Sequence, residues 1–256
     1  MSDTTFTGER LHRGDDLFAV DLARHEAAYA FARRHATRGR VLDLGCGSGY
    51  GTRALVGSAD LILGLDRVRP DAASRSRGTS FLRAELPDLP LSPRAFDLIV
   101  SFQVIEHFED PTDYVDALSD PLREDGLAIV TTPNLLMSDG VNPYHVHEYL
   151  ADELAECLER RFGEVEMLGV GASALTRAHF EARSRRIRRV MRLDPLGLRD
   201  RLPRPLIEWL FARFALLVRR RTHAAGLAPE VGVGDFPVGP VGDRCLDLLA
   251  LCRRPR

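Results

Sequence analysis

The sequence predicts an α/β fold in which helices cover both faces of a largely parallel β-sheet. Short apolar runs of four to eight residues alternate along the chain with stretches of helical periodicity. These runs are continuous rather than alternating in polarity, which is typical of strands buried on both faces. A glycine-rich segment, VLDLGCGSGYG (41–51), spans the end of the first run and the start of a helical stretch. In such folds a loop at the end of a strand is a common ligand-binding position.

The size and composition indicate a globular protein rather than a disordered or fibrous one. The chain has 256 residues, of which 45% are hydrophobic and 28% charged. Its net charge of −2 indicates no general affinity for nucleic acid. The first residues lack the features of a signal peptide, and the longest apolar stretch (205–218) is shorter than the ~20 residues of a membrane span. Because the four cysteines show neither a CxxC pair nor a disulfide spacing, we expect a cytoplasmic location.

Seven strands and three longer helices are predicted from these patterns. The strands cover residues 40–44, 61–65, 80–83, 96–101, 127–132, 164–170 and 245–252. The helices cover residues 21–35, 112–122 and 150–161. The chain therefore divides into an N-terminal arm and helix acting as a lid (1–36), a core (37–170), a helical insertion (171–244) and the last strand of the core (245–256).

The insertion concentrates positive charge in one segment. Residues 183–221 contain 13 arginines and three acidic residues, a net charge of +10, and prolines at 195, 203 and 205 are expected to break its helices. Apolar residues at helical spacing between 207 and 218 have two interpretations. They could form an amphipathic helix on an anionic membrane, peripheral to its inner face, or a lid or homodimer contact with a buried apolar face. The buried interpretation is favoured, because apolar stripes on helices are more often packed than exposed.

The glycine loop carries acidic residues that indicate which ligand it binds. Gly45, Gly47 and Gly49 allow a sharp turn and a close approach of a ligand to the backbone. Asp43 lies two positions before the first glycine, and Asp66 ends the next strand, where its carboxylate can accept hydrogen bonds from both hydroxyls of a ribose. An acid beside the loop disfavours a pyrophosphate, whereas a cationic sulfonium or amino group tolerates it. The pattern favours a cationic nucleoside ligand.

Further segments carry a family resemblance. FLRAELPDLPL (81–91), FDLIVSFQVIEHFEDP (96–111) and LAIVTTPN (127–134) follow the glycine loop in the order seen in class I S-adenosylmethionine-dependent methyltransferases, which the chain resembles. The resemblance implies a Rossmann-like seven-stranded sheet with helices on both faces, the basic insertion between its last two strands, and S-adenosyl-L-methionine as cofactor. The residues predicted to bind this cofactor are Tyr29, Asp43, Gly45, Cys46, Gly47, Asp66, Glu85, Leu86, Ser101 and Gln103.

Two of these assignments have alternatives. Cys46 is expected to be a small residue packed under the ligand rather than a nucleophile, since methyl transfer needs none. Tyr29, with Arg24 and His25 on the same helix, could reach the methionine carboxylate, or it could belong to the core. The sequence leaves both interpretations of Tyr29 open.

A narrower resemblance concerns the acceptor. The segments TGER (7–10), RHEAAY (24–29), QVIEH (103–107) and NPYHVHEY (142–149), with the C-terminal DFPVGPVGDRCLDLLALCRRP (235–255), resemble bacterial glycan O-methyltransferases, including mycobacterial enzymes that methylate a mannoside to start methylmannose polysaccharide. The basic insertion departs from those enzymes. The resemblance implies methylation of a sugar hydroxyl in a glycan, glycolipid or glycosylated natural product. The alternatives are an O-methyltransferase of a quinone or small aromatic, and a non-catalytic cofactor-binding module that docks on a membrane or nucleic acid.

Glu106, His107 and His145 are the predicted catalytic residues. Their spacing is similar to the ExxEH…H arrangement with which small-RNA and ubiquinone-pathway O-methyltransferases hold Mg²⁺, although Gln103 stands where the first glutamate would be. The resemblance therefore implies that the same three residues hold Mg²⁺ or Mn²⁺, with His145 as base or metal ligand. In the alternative interpretation, His107 and His145 only hydrogen-bond the substrate or a loop.

Overall fold

The computed structural model describes residues 18–36, 38–191, 206, 207, 210, 213 and 230–256. The predicted N-terminal arm before residue 18, and most of the amphipathic helix predicted over 207–218, lie outside these residues.

The described residues form one twisted, mixed sheet of eight strands. They are β1 (Arg40–Leu44), β2 (Leu61–Asp66), β3 (Thr79–Arg83), β4 (Phe96–Phe102), β5 (Leu122–Pro133), β6 (Phe162–Val170), β7 (Val238–Pro240) and β8 (Asp247–Pro255). Their order across the sheet is β3-β2-β1-β4-β5-β8-β6-β7. Strands β1 to β5 are parallel, β8 lies antiparallel between β5 and β6, and β7 pairs antiparallel with β6. The parallel strands therefore all end at one edge, which is where such sheets bind ligands.

Five helices lie in the described part of the chain: α1 (Ala19–His35), α2 (Tyr50–Ala54), α3 (Thr112–Ser119), α4 (Ala151–Glu159) and α5 (Ala174–Met191). Short 3₁₀ turns cover Ala72–Ser74, Ile105–His107 and Val233–Asp235. Within these described segments, no helix is long and apolar enough to cross a membrane.

The helices cover both faces of the sheet, and the central strand β4 contributes to both apolar layers. Ile99 packs with residues of α3 and α4, whereas Leu98 and Val100 pack on the other face with residues of α1. This alternation follows from the period of two in a strand. The alanines that face the sheet from α1, among them Ala28 and the fully buried Ala32, allow this helix to lie close against it.

The predicted fold class is confirmed, with corrections to element bounds and strand number. The sheet has eight strands rather than seven, because the proline- and glycine-rich stretch around β7 gave no strand pattern, although proline is tolerated on an edge strand. The helix predicted to reach residue 122 ends at Ser119, since Pro121 has no N–H with which to continue the helix, and Leu122 already belongs to β5. The last strand covers Asp247–Pro255 instead of 245–252.

Helix α5, the first described helix of the predicted insertion, is joined to α1 beside the ligand-binding edge. Nη1 of Arg183 lies 3.1 Å from Oδ1 of Asp21, and the guanidinium of Arg24 lies over the ring of Phe180, 5.5 Å from its centroid. These contacts hold α5 and α1 together as one wall above the carboxyl ends of the strands.

Candidate active site

A cavity of about 1000 Å³ opens at the carboxyl ends of the parallel strands. Residues that follow β1, β2, β4 and β5 form its floor, and α1 and α5 contribute to its walls. Eight of the ten residues predicted to bind the cofactor line it: Tyr29, Gly45, Cys46, Gly47, Asp66, Glu85, Leu86 and Gln103. The three predicted catalytic residues, Glu106, His107 and His145, line the same cavity.

The glycine loop brings bare backbone to the cavity. Gly45 has a φ of 80°, and a Cβ there would lie 2.4 Å from Cγ2 of Val104. Gly47 has a φ of 53° and no atom within 4 Å of its Cβ position, so a side chain at this residue would extend into open space. Its N–H donates to Oδ2 of Asp66 at 2.7 Å, and Oδ1 of Asp66 accepts the N–H of Val68 at 2.9 Å. The two bonds fix the carboxylate at the end of β2, beside the loop.

The chain after β3 and the start of the glycine loop form the wall next to Asp66. Glu85 is largely exposed and lies 3.8 Å from Arg67, and Leu86 follows it. Cys46 is buried in the loop, and burial raises the pKa of its thiol. The thiol therefore stays protonated, as expected for a small packed residue.

Gln103 lies in the cavity wall in a strained backbone conformation. Its φ is 58°, and its N–H donates to the carbonyl oxygen of Thr131 at 2.8 Å. For a residue other than glycine this conformation costs about 1–2 kcal/mol. The strain occurs where the chain leaves β4 and enters the turn that carries Glu106 and His107.

Asp43 and Ser101 lie beneath the cavity wall rather than on it. Asp43 is fully buried and accepts hydrogen bonds from the hydroxyls of Thr52, at 2.6 Å, and Tyr29, at 3.2 Å. Burial raises the pKa of this carboxyl to about 7, although both hydrogen bonds lower it. The hydroxyl of Ser101 donates to the carbonyl oxygen of Leu44 and joins β4 to the end of β1. Both residues therefore support the glycine loop from below.

The α1 residues predicted to reach the methionine carboxylate have different surroundings. Tyr29 is 5% exposed, its ring packs edge-on against Phe102, and its hydroxyl serves Asp43, so most of its side chain belongs to the core. Burial, with the positive charge of Arg24, lowers the pKa of His25 to about 3, so this imidazole is neutral near pH 7. Arg24 lines the cavity, and its buried Nε has no hydrogen-bond partner. Nη1 of Arg24 pairs with Oδ1 of the buried Asp247 at 3.2 Å, so the donor that Arg24 offers to a carboxylate ligand is Nε, beside an existing ion pair.

Glu106 places a buried carboxyl group at the cavity. Its side chain is fully buried, and its Oε2 accepts the hydroxyl hydrogen of Thr132 at 3.0 Å, whereas its Oε1 has no hydrogen-bond partner. Burial raises the pKa of this carboxyl, although the nearby His107 and His145 oppose the shift. A buried carboxyl oxygen without a partner is costly, so it indicates a place for a ligand donor or water.

The main chain of Glu106 also brings His145 to the site. Its carbonyl oxygen accepts the N–H groups of Val146, at 2.8 Å, and His147, at 3.2 Å. The loop between β5 and α4 is thereby held against the turn after β4. This contact explains how two histidine segments that are almost 40 residues apart meet at one cavity.

His107 and His145 face each other with defined tautomers. Nδ1 of His145 lies 2.6 Å from Oε1 of Glu148, and Nδ1 of His107 lies 2.9 Å from the carbonyl oxygen of Tyr144. Because both acceptors need a donor, each Nδ1 carries the hydrogen and each Nε2 is the proton-accepting nitrogen. The two rings are 5.5 Å apart at their centroids. Burial would raise the pKa of Glu148, but hydrogen bonds from His145 and Ser138 outweigh it and lower the pKa.

The predicted metal site is not formed. Among the residues that the structure describes, no three histidine, cysteine, aspartate or glutamate side chains are arranged to hold a metal ion. With glutamine at position 103, Glu106 would be the one anionic ligand beside two imidazoles, a set with fewer oxygen ligands than Mg²⁺ prefers. Glu106, His107 and His145 therefore do not fit a Mg²⁺ or Mn²⁺ site.

Several cavity residues were not predicted from the sequence. Glu148 follows His145 by three residues, a spacing from which their pairing could have been predicted. His147 instead pairs with Glu153 and does not line the cavity. The described part of the insertion adds further residues, and no sequence motif distinguished them: Arg177, Phe180, Glu181, Arg183, Ser184, Ile187 and Arg244.

Comparisons with known proteins agree with this architecture. A model of the methyltransferase domain family matches residues 18–172. A Mycobacterium tuberculosis protein named "Probable S-adenosylmethionine-dependent methyltransferase" is 35% identical over 175 residues, which are 65% of this chain and 64% of that protein. A ubiquinone biosynthesis O-methyltransferase from Cereibacter sphaeroides is 33% identical over 107 residues, which are 37% of this chain and 41% of that protein.

The solved structure of a SAM-dependent methyltransferase from Thermotoga maritima has the same fold. Its TM-score is 0.58 at 13% identity, over 93% of this chain and 92% of that chain. The chain belongs to the S-adenosylmethionine-dependent methyltransferase family. Its matched part spans 64% of the length of the mycobacterial relative.

Proposed function

We propose that this protein transfers the methyl group of S-adenosylmethionine to a sugar hydroxyl of a glycan, glycolipid or glycosylated natural product. The observation that carries this proposal is the pairing of His145 with Glu148 in the same cavity as the glycine loop and Asp66. The cavity thus combines residues suited to an aminoacyl nucleoside with a histidine suited to accept a proton.

The cofactor fits the residues on one side of the cavity. Asp66 offers carboxylate oxygens for ribose hydroxyls, Gly47 leaves space at the backbone, and Arg24 offers a buried N–H for a carboxylate. When bound, S-adenosylmethionine supplies a methyl group on a sulfonium, a good leaving group. The protein must bring the acceptor oxygen into line at about 3–3.5 Å.

His145 is proposed to accept the hydroxyl proton of the acceptor at Nε2. A sugar alcohol is a poor nucleophile at neutral pH, and a positioned histidine contributes ~10²–10⁴-fold as general base. Glu148 holds the Nδ1 hydrogen and stabilises the imidazolium that forms, as an acidic partner does in histidine-dependent hydrolases. His107 is proposed to receive a hydrogen bond from the acceptor at Nε2.

Glu106 is proposed to orient the acceptor through Oε1. This oxygen lacks a partner, and a second hydroxyl next to the reacting one would supply it. A vicinal diol, the ordinary arrangement in a sugar, thus satisfies both His145 and Glu106. A catechol or partly methylated hydroquinone also presents neighbouring oxygens, and the Cereibacter relative makes that class the second candidate.

Matched histidine variants test this assignment. Radiolabelled S-adenosylmethionine is incubated with the protein and a panel of mono- and disaccharides, catechols and hydroquinones, and the methylated product is identified. We expect a methylated sugar, with the rate reduced at least a hundredfold by His145→Ala and cofactor affinity unchanged. His147→Ala is the control, because this histidine lies two residues away but pairs with Glu153.

The outcomes separate the candidate functions. Methylation of a catechol alone would refute the sugar assignment while keeping methyl transfer. A His145→Ala variant as active as His147→Ala would refute the role of His145 as base. Tight cofactor binding without transfer to any class of acceptor would favour a non-catalytic module.

A further inference from the structure

One face of α5 forms part of the cavity wall. The residues on this face recur at helical spacing: Arg177, Phe180, Glu181, Ser184 and Ile187. Arg183, on the adjoining side of the helix, also lines the cavity. The wall of α5 therefore presents arginine side chains to the space in which an acceptor would lie.

Most charges on this wall are paired within the protein. Arg183 pairs with Asp21 of α1 at 3.1 Å, and Glu181 pairs with Arg185 at 3.6 Å along α5. Arg177 and Arg244 differ from these paired residues. Arg244 lies in the segment before β8. Among the residues that the structure describes, neither has a carboxylate within ion-pair distance. Arg177 instead donates from Nη2 to the carbonyl oxygen of Ala172 at 3.2 Å.

The topology places these two arginines in the same region of the cavity. Ala172, to which Arg177 is bonded, lies two residues after the end of β6, and Arg244 lies three residues before the start of β8. Strands β6 and β8 are neighbours, with Val170 opposite Asp247, and the N–H of Leu246 donates to the carbonyl oxygen of Val170 at 2.8 Å. The chain segments carrying Arg177 and Arg244 are therefore adjacent.

This region is distant from the glycine loop. Three strands separate β1 from β6 in the sheet, so the two strands are about 19 Å apart at a spacing of about 4.8 Å. Arg24 lies between the two regions: the adjacent His25 hydrogen-bonds Tyr50, just after the glycine loop, whereas Nη1 of Arg24 pairs with Oδ1 of Asp247 at the start of β8 at 3.2 Å. Because the strand spacing puts β6 and β8 away from the glycine loop, Arg177 and Arg244 are on the acceptor side of the cavity.

We propose that Arg177 and Arg244 form an anion subsite, and that the acceptor is a sugar carrying a phosphate or carboxylate group. This inference rests on the proposed function, of which it specifies the substrate class. A guanidinium binds either anion through paired N–H donors, which gives both affinity and orientation. A neutral glycan would cover two cationic groups without supplying a counter-charge, which is unfavourable.

Binding to anionic and neutral sugars tests this subsite without requiring catalysis. Calorimetry is performed on the full chain saturated with S-adenosylhomocysteine, with mannose 6-phosphate, glucuronate, mannose and inorganic phosphate as probes. We expect one or both anionic sugars to bind at least tenfold more tightly than mannose. The anionic sugar that binds more tightly identifies the acceptor's charged group as a phosphate or a carboxylate. We expect Arg177→Gln and Arg244→Gln each to weaken that binding by about tenfold, consistent with loss of a charge-assisted hydrogen bond.

A solvent-facing arginine of the same helix provides the control. Arg189 is exposed and does not line the cavity, so Arg189→Gln should leave all affinities unchanged. Equal binding of neutral and anionic sugars, or anion binding that survives in the Arg177→Gln/Arg244→Gln double variant, would overturn the subsite. A loss of S-adenosylhomocysteine affinity in Arg177→Gln would reassign this arginine to the cofactor. Methyl transfer to a neutral sugar by the double variant would leave the proposed function intact while refuting the anionic acceptor.

Discussion

The buried carboxyl of Asp43 should make folding stability depend on pH in a characteristic way. Burial raises its pKa from 3.8 to about 7, despite hydrogen bonds from Thr52 and Tyr29 that lower it. Below pH ~4 the folded and unfolded states both carry the proton, and between pH ~4 and ~7 only the folded state does. The stability contributed by this group is therefore full at low pH and is lost as the pH rises through 7.

The magnitude follows from proton linkage. One proton bound only in the folded state changes the free energy of unfolding by about 1.4 kcal/mol per pH unit. Of the three pH units between pH 5 and pH 8, about two lie below the pKa of Asp43. The contribution of Asp43 to the free energy of unfolding should therefore fall by about 3 kcal/mol over this range. Asp43→Asn removes the titration but keeps a side chain of similar shape that can still accept hydrogen bonds from Thr52 and Tyr29.

Urea unfolding at four pH values measures this effect. The free energies of unfolding of the wild type and of Asp43→Asn are compared at pH 5, 6, 7 and 8, and their difference cancels the contributions of other groups. We expect the wild type to lose about 3 kcal/mol relative to the variant over this range. Tyr29→Phe should move the fall to higher pH, because it removes a hydrogen bond that lowers the pKa of Asp43. If the difference in unfolding free energy between the wild type and Asp43→Asn does not change with pH, the raised pKa of Asp43 is refuted.

Two further predictions concern the cofactor side of the cavity. Asp66→Ala should weaken binding of S-adenosylmethionine at least tenfold by calorimetry, because it removes charge-assisted hydrogen bonds and the carboxylate that accepts the N–H of Gly47. The control Asp60→Ala removes a similar bond to the N–H of Gly39 and should leave cofactor affinity unchanged. Gly51→Ala should lower stability by about 1–3 kcal/mol in thermal unfolding, because the added Cβ would lie 1.9 Å from the ring of Tyr29. Gly47→Ala has open space at its Cβ position but a φ of 53°, so it should lower stability by about 1–2 kcal/mol and also weaken cofactor binding; an unchanged cofactor affinity would contradict this expectation.

The fold, and the position of the glycine loop and Asp66 at one cavity, were predictable because both depend on local sequence signals. Continuous apolar runs identified the strands of the sheet, and the bounds of β1 matched the prediction. Asp66 was predicted from its position at a strand end, and its contact with Gly47 follows from the parallel pairing of β1 and β2. The burial of Asp43 beneath the loop was not predictable, because its position in the sequence does not show its hydrogen bonds with Tyr29 and Thr52.

The catalytic side was only partly predictable, because it depends on contacts between distant segments. The segments of Glu106 and His145 meet through hydrogen bonds from Val146 and His147 to one carbonyl oxygen, a contact that no spacing rule indicates. The metal prediction rested on residue types and spacing, and the described residues do not bring three such side chains around one position. Glu148 and the carbonyl oxygen of Tyr144 fix the tautomers of His145 and His107, and residue spacing does not indicate these contacts.

The difference between the two sides of the cavity also limits what relatives indicate about the acceptor. The segment matched by the methyltransferase family model ends at residue 172, and it includes Asp66, Glu106 and His145. Arg177, Arg183 and Arg244 all lie beyond it, on α5 and before β8. Two proteins can therefore share the glycine loop, Asp66 and the histidine proposed as base while presenting different side chains to the acceptor. For this reason the acceptor is better inferred from the charges on α5 than from the names of relatives, and substitutions at Arg177 and Arg244 should change acceptor choice before they change methyl transfer itself.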